Sequence, residues 1–369
     1  MLKIFLYPFL VIYGIIVFIR NLLYDWDILK SKEFDVPVVS IGNITVGGTG
    51  KTPHVEYLAE LLREKFEVVT LSRGYRRETS GFRIVEVSSK VSEVGDEPLQ
   101  IKRKLPDITV AVCENRVRGV ENILKMAEEK PPDVIILDDA FQHRRIFRGI
   151  NILLIDYNRP VTTDKLLPVG TLRESAGQMR RANIIIFTKC PEDEVTPIMK
   201  RILKKDIRLM PYQDLFFTTF RYQNIQPVFP ETESIADFYK SRKYSVLIVT
   251  GIAFPELIPE HLEPFSSEMD TIYFPDHHNY SKKDIRLITN RFNKIDSANK
   301  IIITTEKDAI RFMEMEDLDE ELKNNLYYLP VSVKFLDNEE KMFNKKILKY
   351  VGENKSNRKL HQRKNKSTS

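Results

Sequence analysis

The sequence is poor in cysteine: it has two, Cys113 and Cys190, far apart and in apolar, strand-like contexts. That scarcity excludes a disulfide framework and a cysteine zinc site, and it fits a reducing compartment. No alanine occurs before Ala59 and no small-residue cleavage site follows the N-terminal apolar run, which argues against a cleaved signal peptide. No internal repeat is evident. An excess of one charge sign is also scarce. The net charge of +5 is modest, and much of it sits in the C-terminal tail as Lys355, Arg358, Lys359, Arg363, Lys364 and Lys366. That tail lacks apolar periodicity and reads as a disordered, solvated segment over 351–369, with no nucleic-acid partner expected. What remains, 42% hydrophobic and 30% charged residues over 369 positions, is ordinary globular composition with length for about two domains.

The N-terminus is less ordinary. Ile4 to Ile19 is almost unbroken apolar sequence bounded by Lys3 and Arg20. Sixteen residues at about 1.5 Å each reach roughly 24 Å, slightly short of a ~30 Å hydrocarbon core. A membrane-embedded anchor, a marginal spanning helix and a helix buried in the protein are the options. Pro8 and Gly14 would weaken a water-exposed helix but are tolerated in a membrane. Membrane association of residues 1–24 is expected, with the body of the protein on the cytoplasmic side.

After that segment, short apolar runs alternate with helix-like stretches, the pattern of a parallel α/β sheet. Expected strands are Val36–Ile41, Val68–Leu71, Thr109–Cys113, Val134–Leu137, Ile152–Ile155 and Ile184–Phe187, with helices over 55–65 and 116–129. Near 205–245 an aromatic, proline-containing stretch breaks the rhythm, which resumes with Val246–Val249, Ile272–Phe274 and Ile301–Thr304. This predicts a larger nucleotide-binding α/β domain over 25–210 and a smaller α/β domain over 211–350, with a cleft between them.

The first domain opens on Thr45-Val46-Gly47-Gly48-Thr49-Gly50-Lys51-Thr52, directly after an apolar strand. Strand, glycine-rich turn and helix together aim backbone N–H groups at an oligophosphate. The lysine supplies a point charge and the Thr52 hydroxyl a ligand for Mg²⁺. The first position of the usual pattern is Thr45, not glycine. The core resembles the variant loop of ParA/MinD-like ATPases, yet Val46 stands where those carry their signature lysine. Pro53 is tolerated because the first helical turn has no internal partners for its N–H groups.

Val134-Ile135-Ile136-Leu137-Asp138-Asp139 is an apolar strand ending in two carboxylates, the form of a metal-holding Walker B element. Which of Asp138 and Asp139 meets the metal stays open. Gln142, His143, Arg144 and Arg145 follow. Gly95-Asp96-Glu97-Pro98 and Phe274-Pro275-Asp276-His277-His278 gather ionisable groups in loops, where a carboxylate paired with an imidazole can take a hydroxyl proton. Adjacent histidines lack metal-ligand spacing on a helix face, so a zinc site there is discounted. Ser72-Arg73-Gly74-Tyr75-Arg76-Arg77 offers arginine forks suited to phosphate, and Asn115-Arg116 is a similar case.

This set of motifs resembles the tetraacyldisaccharide 4′-kinase family, the lipid A 4′-kinases. The resemblance rests on Ile41-Gly42-Asn43 with the Gly47–Thr52 loop, Ser72-Arg73-Gly74-Tyr75, Gly95-Asp96-Glu97-Pro98 and Asp138-Asp139-Ala140-Phe141-Gln142-His143. It extends through Leu167-Pro168-Val169-Gly170-Thr171-Leu172-Arg173-Glu174, Phe274-Pro275-Asp276-His277 and Thr305-Glu306-Lys307-Asp308, in family order to about residue 335. The resemblance implies a Mg²⁺-dependent kinase at the inner membrane of a Gram-negative bacterium. It would move the γ-phosphate of ATP to the 4′-hydroxyl of an acylated glucosamine disaccharide 1-phosphate, with no obligate protein partner. By the same resemblance Lys51 acts on the phosphates, Thr52 with Asp138 and Asp139 holds Mg²⁺, Asp96 is the base and His277 its partner. Arg73, Tyr75, Asn115, Arg116, Gln142, His143 and Glu174 are implied near the substrate.

The rival is a membrane-associated switch ATPase of the ParA/MinD or signal-recognition class. Val46 leaves its trans-acting lysine mechanism without a residue. Guanine readers carry [NT]-K-x-D, whereas Thr188-Lys189-Cys190 runs into Pro191 and Thr305-Glu306-Lys307-Asp308 has the wrong spacing. ATP is therefore the expected nucleotide.

Overall fold

The computed structural model describes residues 5–240, 242–316 and 318–367, with 356–367 as backbone alone. The start of the apolar run at Ile4 and the last two residues of the tail lie outside the described residues. In chain order the first elements are α1 (Tyr7–Asp25), β1 (Val38–Gly42), α2 (Lys51–Arg63), β2 (Val68–Ser72), β3 (Arg83–Val85), α3 (Val91–Val94) and α4 (Asp96–Lys104). Then come β4 (Thr109–Val112), α5 (Arg116–Met126), β5 (Val134–Asp138), β6 (Ile150–Asp156), β7 (Ile184–Thr188), α6 (Pro197–Asp206) and β8 (Asp214–Tyr222). The chain continues with β9 (Gln226–Pro227), β10 (Tyr244–Thr250), α7 (Leu257–Leu262), β11 (Ser266–Tyr273), α8 (Lys282–Asn293), β12 (Lys300–Thr305) and α9 (Glu306–Met313). It ends with α10 (Glu320–Asn324), β13 (Leu326–Leu329), β14 (Val331–Phe335) and α11 (Glu340–Ser367).

Two sheets result. The larger has the order β14-β8-β7-β6-β1-β5-β2-β4-β3 and the smaller β11-β10-β12-β13-β9. In the larger sheet only the edge strands β14 and β3 pair antiparallel to their neighbours. Its central strands are mostly apolar because helices and loops cover both faces. β1, β5 and β6 are accordingly buried at every position. The phosphate loop leaves the carboxyl end of β1, and the acidic pair leaves the carboxyl end of its neighbour β5, so parallel pairing puts them side by side.

The division at 210 does not match the sheets. β8 pairs in parallel with β7, from Ile184 with Asp214 to Phe187 with Phe217. β14 returns to β8, from Val331 with Tyr222 to Phe335 with Thr218. The smaller sheet is thus an insertion between Tyr222 and Val331, and residues 331–351 rejoin the first unit. Within the aromatic stretch that broke the rhythm, Asp214–Tyr222 is an interior strand of this sheet, with Phe216 and Phe217 fully buried.

The tail also differs from expectation. α11 runs to Ser367 instead of ending in disorder at 351. Phe343, Ile347 and Val351 bury one face of it beside Leu58 and Leu62 of α2. Beyond Gly352 there is neither glycine nor proline, so extending a nucleated helix costs little per residue.

α1 has 19 residues, roughly 28 Å at about 1.5 Å per residue, and only Asn21 in it is buried. Among the described residues it is the one helix long and apolar enough to cross a membrane. Phe9, Ile12, Ile15, Ile16, Phe18 and Ile19 are all exposed. Its polar end is fastened to the body. Glu174, fully buried, accepts from Asn21 Nδ2 at 3.2 Å and from Arg20 at 3.0 Å, and is paired with Arg181. Arg144 donates to Asp25 at 2.7 Å and to the Asn21 carbonyl at 3.0 Å.

Candidate active site

The phosphate loop is fixed from outside. Val46 N donates to the Thr171 carbonyl at 2.8 Å, Arg159 donates to the Val46 carbonyl at 3.0 Å, and Thr188 Oγ1 donates to the Thr49 carbonyl at 3.0 Å. Asn43 Nδ2 donates to Thr49 Oγ1 at 2.8 Å. Gly50, at φ +81°, turns the chain into α2, and a Cβ there would lie 2.7 Å from the Phe220 ring. Both the left-handed backbone and the close approach require glycine. His54, one turn into α2, bonds the Gly50 carbonyl at 2.7 Å and faces Thr218 Oγ1 of β8 at 3.1 Å.

At the end of β5, Asp138 is buried and its Oδ1 has no hydrogen-bond partner. Burial first, then the charges of Glu97 and Asp139, push its carboxyl up to about 7. Asp139 is half-buried and differs. Burial alone would raise it, but Lys51, at 3.8 Å, and Arg173, with two contacts of 3.1 Å, hold it below the usual carboxylate range. Arg116 braces the strand end by donating to the Cys113 carbonyl at 2.7 Å and the Asp138 carbonyl at 3.1 Å. A Mg²⁺ ion asks for a few oxygen donors and keeps waters and phosphates on its other positions. Thr52 and the Asp138/Asp139 pair fit that demand, and the partnerless Asp138 oxygen is an acceptor that a cation would satisfy. Among the described residues no cluster of three or more His, Cys, Asp or Glu side chains forms a metal cage.

The second unit faces these elements across a cleft of about 500 Å³. Val46 to Thr52, Tyr75, Glu97, Asp139 and Arg173 line one wall, and Phe254, Asp276, His277 and Lys307 the other. Its apolar end is formed by Phe220, Tyr222, Ile252, Ile258 and Leu329, surface suited to a nucleobase. Lys104 of α4 ties the units together, contacting Glu56 of α2 at 2.8 Å and Glu306 of α9 at 2.9 Å. Asp96, the first residue of α4, meets His277 Nδ1 at 2.9 Å and is also paired with Arg311. Burial would raise the Asp96 carboxyl, but the His277 hydrogen bond, Lys307 and Arg311 outweigh it and hold the group far below the usual range.

Of the residues expected near a substrate, only Tyr75 lines the cleft, its ring 5.0 Å from that of His277. His143 stands in the field of Arg116, Asp139 and Arg73, and chiefly burial lowers its imidazole to about 4. Gln142 donates to the Asn43 carbonyl at 2.8 Å, bracing the phosphate loop. Asn115 caps α5 by accepting from Arg118 N at 3.2 Å. Arg116 and Glu174 are buried in structural pairings, while Arg73 is exposed. Thr45, Asp96 and Asp138 lie behind the cleft wall, buried. Sequence reasoning did not single out Glu97, Arg173, Asp276, Lys307 and Arg311 as site residues. The order Thr305-Glu306-Lys307-Asp308 was the available signal for Lys307.

Residues 2–351 match the family model described as tetraacyldisaccharide-1-P 4'-kinase. The chain is 46% identical over 367 residues to the tetraacyldisaccharide 4'-kinase of Bacteroides thetaiotaomicron, covering 98% of this chain and 96% of that protein. It is 42% identical over 356 residues to that of Flavobacterium psychrophilum, covering 95% and 98%. The fold is similar to that of a crystal structure of an "apo" form of LpxK from Aquifex aeolicus in complex with ATP, at 32% identity and a TM-score of 0.71, covering 95% of this chain and 99% of that one. With a phosphate loop, an acidic strand end and an Asp–His pair around one cleft, the chain belongs to the tetraacyldisaccharide-1-P 4'-kinase family.

Proposed function

We propose that the chain transfers the γ-phosphate of ATP to the 4′-hydroxyl of tetraacyldisaccharide 1-phosphate. The observation that carries this reading is the meeting, in one cleft, of a phosphate loop with an imidazole held by a buried carboxylate. The loop and Lys51 bind the phosphates, and the apolar end of the cleft takes the base. Thr52, Asp138 and Asp139 would hold Mg²⁺, which would supply neutralisation of phosphate charge. Arg173 and Lys51 keep Asp139 ionised for that role.

The proton-accepting group is better assigned to His277 than to Asp96 itself. Asp96 is 2% exposed and its carboxyl is far too acidic to take a proton near neutrality. His277 lines the cleft, and Asp96 orients its ring and stabilises the imidazolium once the proton has moved. α1 lies in the inner leaflet of the inner membrane, on the cytoplasmic face, so the acyl chains of the acceptor stay in lipid while its headgroup enters the cleft. The apolar exposed surface of α1 and its fastened polar end support this placement.

A transfer assay in detergent with terminally labelled ATP and the disaccharide 1-phosphate tests the reading. Label recovered at the 4′-position is expected. Acceptor-independent release of labelled phosphate as the sole product would favour the switch ATPase reading instead.

A further inference from the structure

Helix α9 sends two cations, one turn apart, from the inserted unit toward Asp96 of the first unit. They have different surroundings. Arg311 is buried, paired with Asp96 and donating to the His278 carbonyl at 2.6 Å. Lys307 stands in the cleft wall. Its Nζ lies 2.9 Å from Asp276 Oδ1, 3.1 Å from His277 Nε2 and 3.8 Å from Asp96 Oδ2.

We propose that Lys307 is a positioning residue that holds the His277 ring with its N–H on Nδ1 and its lone pair on Nε2. This inference rests on His277 as the proton acceptor described above. An ammonium has three donors and no acceptor, so a ring nitrogen in contact with it must present a lone pair. The single N–H of a neutral imidazole then sits on Nδ1, where the Asp96 carboxylate accepts it at 2.9 Å. The longer contact of 3.5 Å between Arg311 Nη2 and Nδ1 does not compete, because the same nitrogen is directed at Asp96.

The need for such a group comes from Asp276. Its Oδ2 lies 3.8 Å from Nε2, so the ring has a carboxylate on each side. A proton placed on Nε2 toward Asp276 would leave the ring no lone pair to offer there. Lys307 occupies Asp276 and covers Nε2 at once. The ring also meets the Tyr75 edge, and Arg76 donates to the His277 carbonyl at 2.6 Å. Neither selects a protonation state of the ring. When the acceptor hydroxyl arrives it replaces Lys307 at Nε2, and Lys307 retains Asp276. The hydroxyl proton passes to Nε2 as its oxygen bonds the γ-phosphorus and the bond to the β–γ bridging oxygen breaks, releasing ADP.

The test uses the full-length protein in detergent, with turnover kinetics and ¹⁵N NMR of its labelled histidines. In the native protein His277 should show one protonated and one unprotonated ring nitrogen. In Lys307→Met both should be protonated, kcat should fall about 100-fold and KM for ATP should move less than about threefold. Adding Asp276→Asn to Lys307→Met should restore the lone pair and recover at least about tenfold in kcat. Lys307→Arg should keep the native ring state. An unchanged ring state in Lys307→Met, or no recovery in the double variant, overturns the proposal. Should Lys307→Met fail to fold, Lys307→Ala takes its place and is read by the same ring state, and an unchanged ring state there overturns the proposal. His277→Gln also separates the two readings, since retained turnover there would refute the acceptor assignment itself.

Discussion

Replacing Glu174 by alanine should undock α1 while sparing the nucleotide site. The carboxylate is fully buried and serves Arg181, Arg20 and Asn21 together. Its removal leaves Arg181, its side chain 9% exposed and its guanidinium 4.5 Å from the Phe141 ring, without a counterion. Stranding a buried charge costs about 3–5 kcal/mol, a shift of some hundredfold or more in a local equilibrium. The other ties of α1 are partly exposed. They include Tyr13 to the Arg173 carbonyl at 2.8 Å, Lys165 to Tyr7 at 2.6 Å and Arg180 to Asp25 at 2.5 Å. Contacts of that kind are worth roughly 0–1 kcal/mol each and cannot absorb the loss. Hydrogen exchange in detergent should therefore quicken across 7–25 and 173–181, with ATP affinity within about twofold of native. Turnover on the lipid acceptor should fall about tenfold, because the headgroup is no longer presented at the cleft. Glu174→Gln, which keeps a partner for Asn21, should lie between. Unchanged exchange across 7–25 would refute the reasoning, as would lost ATP binding with α1 still protected.

Other consequences can be measured separately. His54 is buried, and burial lowers its imidazole from the ordinary 6.5 to about 4, so the unfolded chain binds a proton there that the folded chain does not. That contribution is fully present above pH 6.5 and lost as pH falls toward 4, by up to roughly 3 kcal/mol; His54→Gln should flatten this part of a chemical-denaturation pH series. Gly50→Ala adds a left-handed penalty of about 1–2 kcal/mol and a clash with Phe220, so calorimetry should show ATP binding weakened at least tenfold. Asp138→Asn should raise the Mg²⁺ concentration needed for half-maximal turnover, with Mg²⁺-free nucleotide binding retained in equilibrium dialysis. Deleting residues 1–24 should move the protein from the membrane pellet to the supernatant, and pelleting of the truncated protein would show that other surfaces hold it.

The parallel core was readable because two-sided burial writes strands as unbroken apolar runs, as in Val134–Leu137 and Ile184–Phe187. β8 escaped notice because its apolar residues are aromatic and adjoin prolines, which imitates a linker; the pairing that reveals it comes from β14, more than a hundred residues later. β11 was read only at its end, since Ser266 to Thr271 is polar apart from Met269 and only Ser266 of it is buried, at a sheet edge. The phosphate loop and the acidic pair were legible because each is contiguous. Glu174 was legible as part of a motif, yet its burial is decided by Arg20, 154 residues away. The Asp96 cluster is assembled from α4 and α9, with Arg311 separated from Asp96 by 215 residues, and no local pattern announces it. It also reverses the expected order of the pair, putting the imidazole in the cleft and the carboxylate behind it.

The most direct test compares ATP consumption with the native disaccharide 1-phosphate and with the same acceptor methylated on its 4′-oxygen. A kinase acting at that hydroxyl should consume ATP in step with labelled lipid for the first acceptor and leave ATP intact for the second. Equal ATP consumption with both acceptors, and no labelled lipid from either, would contradict it.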